Sequence, residues 1–164
     1  MILEMVDRLM TNKIDENNIK ILKALQMDAS ISQKQLSEYV NLSQNACWHR
    51  LQNLKKEKII QGQTIRMDRK KLGLGLVVFV MVKTRHHSAN WLEKFRTHIR
   101  NIPEVIDFFR IGGDYDYLLK IVTRDIHTYD GIYQRLISKI ELSAVTSYFA
   151  MEAIEEQRPL PISI

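Results

Sequence analysis

The stretch that most constrains this chain is ISQKQLSEYVNLSQNACWHRLQNLKK, Ile31 to Lys56, because two helix starts stand eleven residues apart in it. Ser32 is followed three residues later by Gln35, the spacing at which each side chain satisfies the other's free backbone N–H. Ser43 opens a second helix. Only Val40-Asn41-Leu42 separates them, room for a tight turn and nothing more. Asn41 is the residue suited to a left-handed backbone there. Helix, tight turn, helix is an arrangement whose second helix can enter a DNA major groove.

The faces of that second helix agree. Cys47, Leu51 and Leu54 form one apolar stripe, with Leu36, Val40 and Leu42 as the matching surface. The opposite side carries Asn45, His49, Gln52, Asn53 and Lys56, flanked by Gln44 and Trp48. It holds amides, an imidazole and a cation but no carboxylate, which suits base edges and phosphates. A helical hairpin with a merely solvated polar face would show the same periodicity, so charge has to decide. The formal charge of +5 is all in residues 1–71; residues 72–164 sum to zero. An excess of cations in the segment that carries the amide face favours a polyanionic partner, double-stranded DNA.

The rest of the chain sets the context. Hydrophobic content of 45% with 26% charged residues is globular composition. The longest apolar-plus-glycine run, Leu72 to Val82, is too short to span a bilayer as a helix. A single cysteine excludes an intrachain disulfide and fits a reducing compartment, so the expected location is cytoplasmic and no membrane partner is expected. Residues 1–11 read as a short amphipathic helical extension through Ile2, Val6 and Met10. Asp15 caps a helix with Ile21 and Leu25 on one face, completing a three-helix domain over 12–62 with the helix pair at about 32–56. Ile59 to Ile65 is β-prone, an extended arm or small wing, and 63–75 forms a linker with hinge glycines Gly73 and Gly75.

From Leu76 the elements alternate. LVVFVMVKT is a strand, Ser88 caps a helix, Val105–Ile111 and Tyr117–Thr123 are strands, Asp125 opens a helix and Val145–Ala153 is the last strand. The order βαββαβ over 76–155 implies a four-stranded antiparallel sheet with both helices on one face, the ferredoxin-like arrangement; 156–164 is a tail. The first strand is apolar on both sides, so the open sheet face is expected to be covered by a second subunit. The turn Gly112-Gly113-Asp114-Tyr115-Asp116 offers backbone N–H groups and two carboxylates, the partners a small zwitterion needs. A plain hairpin turn also favours Gly and Asp, and chemistry alone leaves both readings open. There is no Ser–His–Asp signature, Walker loop, CxxC or HxxxH spacing, and no metal or cofactor is expected.

The chain resembles the leucine-responsive/asparagine-responsive (Lrp/AsnC, feast/famine) transcription regulators from about Ile14 to Glu155. The resemblance rests on Ile14-Asp15, Ile21-Leu22 and Leu25; on Leu42-Ser43, Ala46-Cys47-Trp48, Arg50, Leu51 and Leu54; on Ile60-Gln61-Gly62 and Leu72-Gly73; and on Gly113-Asp114-Tyr115-Asp116-Tyr117-Leu118-Leu119. It implies an α+β chain: an N-terminal winged helix-turn-helix reader joined to a C-terminal ferredoxin-like (RAM/ACT-like) domain. That domain would assemble homodimers into a higher homo-oligomer, tetramer or octamer, with an amino acid bound between dimers. Carried over, Ser43, Gln44, Asn45, Trp48, His49, Arg50, Gln52, Lys55, Lys56 and Lys34 are the DNA candidates. Gly112, Gly113, Asp114, Tyr115 and Asp116, with Thr146 and Ser147, are the effector candidates. Among the departures, Asn41 stands for a Gly, and Lys58 stands where Gly normally ends the recognition helix, at a cost of ~1 kcal/mol if the backbone there is left-handed. Two alternatives stand beside this one. A sirohaem-decarboxylase-like enzyme on the same plan would use His86, His87 and His127; an amino-acid sensor would lack DNA affinity.

Overall fold

The computed structural model describes residues 14–163, so the helical extension expected at 1–11 lies outside the described residues. The chain forms two units. One runs up to Arg66 and includes the residues from Glu155 onward; the other is Met67–Ile154.

The first unit holds α1 (Glu16–Met27), α2 (Gln33–Tyr39) and α3 (Gln44–Lys56). Each starts where a side chain takes up an orphan N–H. Asp15 accepts from the Asn18 N–H at 2.8 Å, and Ser43 accepts from the Ala46 N–H at 3.2 Å. Ser32 and Gln35 form the reciprocal box, Gln35 N–H on Ser32 Oγ at 3.2 Å and Ser32 N–H on Gln35 Oε1 at 3.1 Å. The turn between α2 and α3 is closed by Leu42 N–H on the Ser37 carbonyl at 2.9 Å, and Asn41 is left-handed with φ 61°. Ile21, Ala24, Leu36, Val40, Cys47 and Leu54 make the buried core, with Leu25, Leu51 and Ile60 against it. Burial also pushes the Cys47 thiol up, away from reactivity.

α3 ends in a Schellman motif. Ile59 N–H reaches the Leu54 carbonyl at 3.0 Å and Lys58 N–H the Lys55 carbonyl at 3.0 Å, with Lys58 itself left-handed at φ 57°. The β-prone segment Ile59–Ile65 then forms no strand. It is an arm whose Ile60 packs back on the helical core. A wing needs a neighbouring strand, and none of the described residues supplies one.

The second unit is β1 (Leu76–Lys83), α4 (Ala89–Arg100), β2 (Val105–Arg110), β3 (Tyr117–Thr123), α5 (Ile126–Ile137) and β4 (Ala144–Phe149). Ser88 and Asp125 cap the two helices. The sheet order is β2-β3-β1-β4, antiparallel throughout. Val78, Val80 and Val82 of β1 and Leu119 and Ile121 of β3 point to the helix side, buried with Phe95, Ile99, Ile132 and Leu136. β4 stops at Phe149, short of the expected Ala153. Its partner β1 begins at Leu76, and the last bond across is Ala150 N–H on the Val77 carbonyl, so the ladder runs out.

The other sheet face is open. Cα registers put Phe79 beside Lys120 and Tyr148, and Met81 beside Leu118 and Thr146, with Phe109 opposite Leu118. Phe79, Phe109 and Tyr148 are exposed there. No helix among the described residues is long and apolar enough to cross a membrane.

Candidate functional site

The outward side of α3 carries the amide face. Ser43, Gln44, Asn45, Trp48, His49, Lys55 and Lys56 are exposed, as is Lys34 on α2; Gln52 and Arg50 are half-buried. From Gln44 to Lys56 the helix holds no carboxylate, and Lys55 and Lys56 lie in its last turn, where cations suit the helix dipole. Trp48 and His49 meet edge to face with centroids 4.9 Å apart, which fixes two large rings side by side on this surface. Beside them a hollow of 580 Å³ is lined by His49, Asn53 and Lys56 together with Asn18 and Arg50.

Arg50 is not placed as the sequence suggests. Its Nη1 donates to both Asp15 carboxylate oxygens, at 2.7 and 2.6 Å, and to Asn18 Oδ1 at 3.0 Å. The guanidinium therefore joins the middle of α3 to the cap of α1 instead of standing out as a phosphate ligand. Burial alone would raise the Asp15 carboxyl, but the Asn18 N–H and the Arg50 guanidinium outweigh it and hold it below the usual carboxylate range. Another residue went unnoticed in the sequence. Gln33 Nε2 donates to the Gln44 carbonyl at 3.3 Å, tying the start of α2 to the start of α3. A signal was available, since Gln33 directly follows the Ser32 cap and Gln44 the Ser43 cap.

The glycine–acidic turn joins β2 to β3. Ile111 N–H meets the Asp116 carbonyl and Asp116 N–H the Val82 carbonyl, both at 2.9 Å. Gly113 needs its freedom here, with φ 122°. Asp116 is engaged: its Oδ2 accepts from the Thr84 N–H at 2.8 Å, so it anchors the turn to the end of β1. Asp114 is exposed and Tyr115 half-buried, the Tyr115 hydroxyl lying 2.9 Å from Thr146 Oγ1.

Thr146 and Ser147 do not come together. Successive strand residues point to opposite faces. Thr146 stands beside Met81 on the open face, while Ser147 stands beside the buried Val80 and hydrogen-bonds the Tyr129 hydroxyl of α5. Ser147 is thus removed from the turn.

Elsewhere, His86 Nε2 lies 3.3 Å from Glu141 Oε2, at a hollow of 220 Å³ with Arg85 and Ser143. His127 is the second residue of α5. Among the described residues no three His, Cys, Asp or Glu side chains gather as a metal site.

Comparison with known proteins fits this geometry. Residues 14–61 match the family described as winged helix-turn-helix DNA-binding, and residues 77–160 the Lrp/AsnC ligand binding domain. The chain is 44% identical over 154 residues to the DNA-binding transcriptional activator DecR of Escherichia coli, covering 93% of this chain and 99% of that one. It is 40% identical over 153 residues to the glutamate uptake regulatory protein of Zymomonas mobilis, covering 93% of each. An AsnC family transcriptional regulator from Agrobacterium tumefaciens superimposes with a TM-score of 0.86 at 39% identity, over 90% of this chain and 96% of that one. A transcriptional regulator of Neisseria meningitidis, solved as an L-Met complex, gives 0.84 at 30% identity with the same coverages. These relatives are regulators, and the enzymatic alternative is set aside on that ground. A helix-turn-helix reader with an amide-and-cation face, followed by the ligand-binding fold, makes this chain a member of the Lrp/AsnC family of DNA-binding transcriptional regulators.

Proposed function

We propose that α3 reads base edges through Gln44, Asn45, Trp48, His49 and Gln52, while Ser43, Lys34, Lys55 and Lys56 contact the phosphate backbone. The observation that carries this is the exposed, carboxylate-free face of α3, held in place from behind by Arg50 and at its start by Ser43 and Gln33. Phosphate contacts position such a helix, and base contacts specify the site. Two readers related by a twofold axis would read a pseudo-palindromic site. The test is binding to a selected operator and to a scrambled one. Asn45→Ala or His49→Ala should lower discrimination by ~1–3 kcal/mol for a residue that reads a base. Equal discrimination in the variant and the parent removes that residue from the set.

The ligand of the second domain is a small amino acid held at the Gly112–Asp116 turn, with Asp114 and Asp116 toward its ammonium and the glycine N–H groups toward its carboxylate. The chemistry of the turn supports this, and so does the similarity to the L-Met-bound Neisseria regulator. Thr146 belongs with the turn through Tyr115; Ser147 does not. Asp116 anchors Thr84, so the informative variant is Asp116→Asn, which keeps an acceptor for that N–H and removes the charge. Thermal shifts with each standard amino acid should find a stabilising ligand for the parent chain, reduced in Asp116→Asn, with DNA affinity unchanged. A ligand response that survives in full counts against the turn. The working unit is a homodimer or a larger ring of dimers acting in the cytoplasm, with the exposed face of Phe79, Phe109 and Tyr148 covered by a second copy.

A further inference from the structure

The last residues of the chain pack with the reader, not with the domain they have just left. Gln157 turns them, adopting a left-handed backbone at φ 59° that a residue with a side chain holds only where its surroundings fix it. Arg158 Nε meets Glu155 Oε1 at 3.3 Å across this turn. Pro159 and Pro161 then restrict the chain, and Ile162 N–H donates to the Leu160 carbonyl at 2.9 Å, closing a three-residue turn centred on Pro161.

α1 meets this shape with one side chain. Leu160 N–H donates to Gln26 Oε1 at 2.6 Å, and Gln26 Nε2 donates to the Leu160 carbonyl at 3.4 Å. Both polar groups of one backbone residue are thereby satisfied, as a neighbouring strand would do. The Leu160 side chain is 71% exposed, so the grip is on its backbone. Ile162 is half-buried and lines a 510 Å³ hollow with Leu22, Leu25, Leu51 and Ile60. A stiff, pre-turned segment loses little freedom on docking.

We propose that this side of α1 is a receptor for the chain's own Leu160–Ile162 segment, so that the ligand-binding domain holds its reader by two tethers, the 63–75 linker and the tail. β4 carries Thr146, which meets Tyr115 of the glycine–acidic turn, and the tail continues from β4. A change at the turn therefore has a route to α1, through the Tyr115–Thr146 hydrogen bond, the continuous chain from β4 and the Gln26–Leu160 bonds, and from α1 through Asp15 and Arg50 to α3. The route's regulatory use rests on the effector reading above; the docking does not.

The test starts with amide hydrogen exchange on the full chain and on Gln26→Leu, which keeps the helix and removes both bonds. Leu160 should exchange at least tenfold faster in the variant, with β1 and β3 amides unchanged. Equal exchange at Leu160 overturns the receptor. Protection of Leu160 that disappears on dilution would make the tail a second copy's and overturn the assignment to its own chain. The second arm uses a chain ending at Glu156 and operators whose half-sites stand at the preferred spacing or half a turn away. Truncation should reduce spacing discrimination at least tenfold while affinity for a single half-site stays within twofold. Unchanged spacing discrimination overturns the second tether. Should no amino acid shift the melting of the parent chain, the effector reading fails and both arms of this test still stand.

Discussion

At Lys58 the backbone is left-handed because the Schellman turn after α3 requires it there, and a lysine Cβ is crowded in that conformation. Asn41 meets the same demand between α2 and α3, where a short amide side chain tolerates it better. Lys58→Gly should therefore stabilise the folded chain by up to about 1 kcal/mol, because the left-handed penalty of ~1–2 kcal/mol that a non-glycine residue carries there outweighs the ~0.4–1 kcal/mol that glycine's greater freedom when unfolded costs. Denaturant midpoints compared at equal slope measure it. Lys58→Asn serves as a control that removes the same charge, and it should gain less. If both variants gain equally, the charge and not the backbone is responsible. Such strain was legible beforehand, since both positions follow directly from where a helix must stop. The clamp at Arg50 was not, because its partner Asp15 lies 35 residues away and reads only as a cap.

The elements followed their caps closely. Asp15, Ser32, Ser43, Ser88 and Asp125 each begin the helix that their side chains predict, because the orphan N–H groups are a local requirement. Strand ends did not follow, since a strand extends only as far as its neighbour does. Hence β4 stops at Phe149, and the β-prone Ile59–Ile65 forms no strand. The pairing of α1 with α3 is a tertiary matter of the same kind, and it carries a prediction. Arg50→Ala should cost about 1 kcal/mol of stability, as befits a half-exposed ion pair. It should leave the slope of log affinity against log salt unchanged, because the guanidinium is held by Asp15 and not by phosphate. Lys55→Ala and Lys56→Ala should each make that slope shallower by roughly 0.9. The pair also responds to acid. Asp15 ionises more readily folded than unfolded, so its contribution is complete above the ordinary aspartate range. It is lost as pH falls through the folded value. As pH falls through and below the ordinary aspartate range, the parent should lose stability faster than Asp15→Asn, in which the cap is kept and the titrating group is gone. Parallel curves for the two proteins would remove Asp15 as the cause.

For the molecule as a whole, the deciding quantity is the apolar face left open by a sheet with both helices on its other side. Phe79 stands at the centre of that face, between Lys120 of β3 and Tyr148 of β4, and Phe109 lies beside Leu118 on the neighbouring strands. Burying side chains of this size is worth about 1.5–3 kcal/mol each. A symmetric contact counts each of them twice, because the same patch serves both partners. Phe79, Phe109 and Tyr148 are 37%, 53% and 54% exposed in the single chain, so what remains to be buried from both copies comes to roughly 4–9 kcal/mol, against an association cost of about 4–15 kcal/mol. These three side chains alone do not close the balance, so a dimer requires Met81 and Leu118 of the same face to be buried with them. Phe79→Asp places a charge where the two copies meet and should weaken the dimer at least a hundredfold in Kd, with little effect on folding, since Phe79 is already exposed in the single chain. Sedimentation equilibrium of the parent and the variant reads this directly. A parent that sediments as a monomer at micromolar concentration would mean that this face is covered by something other than a second copy. The twofold pairing of readers would then need another interface.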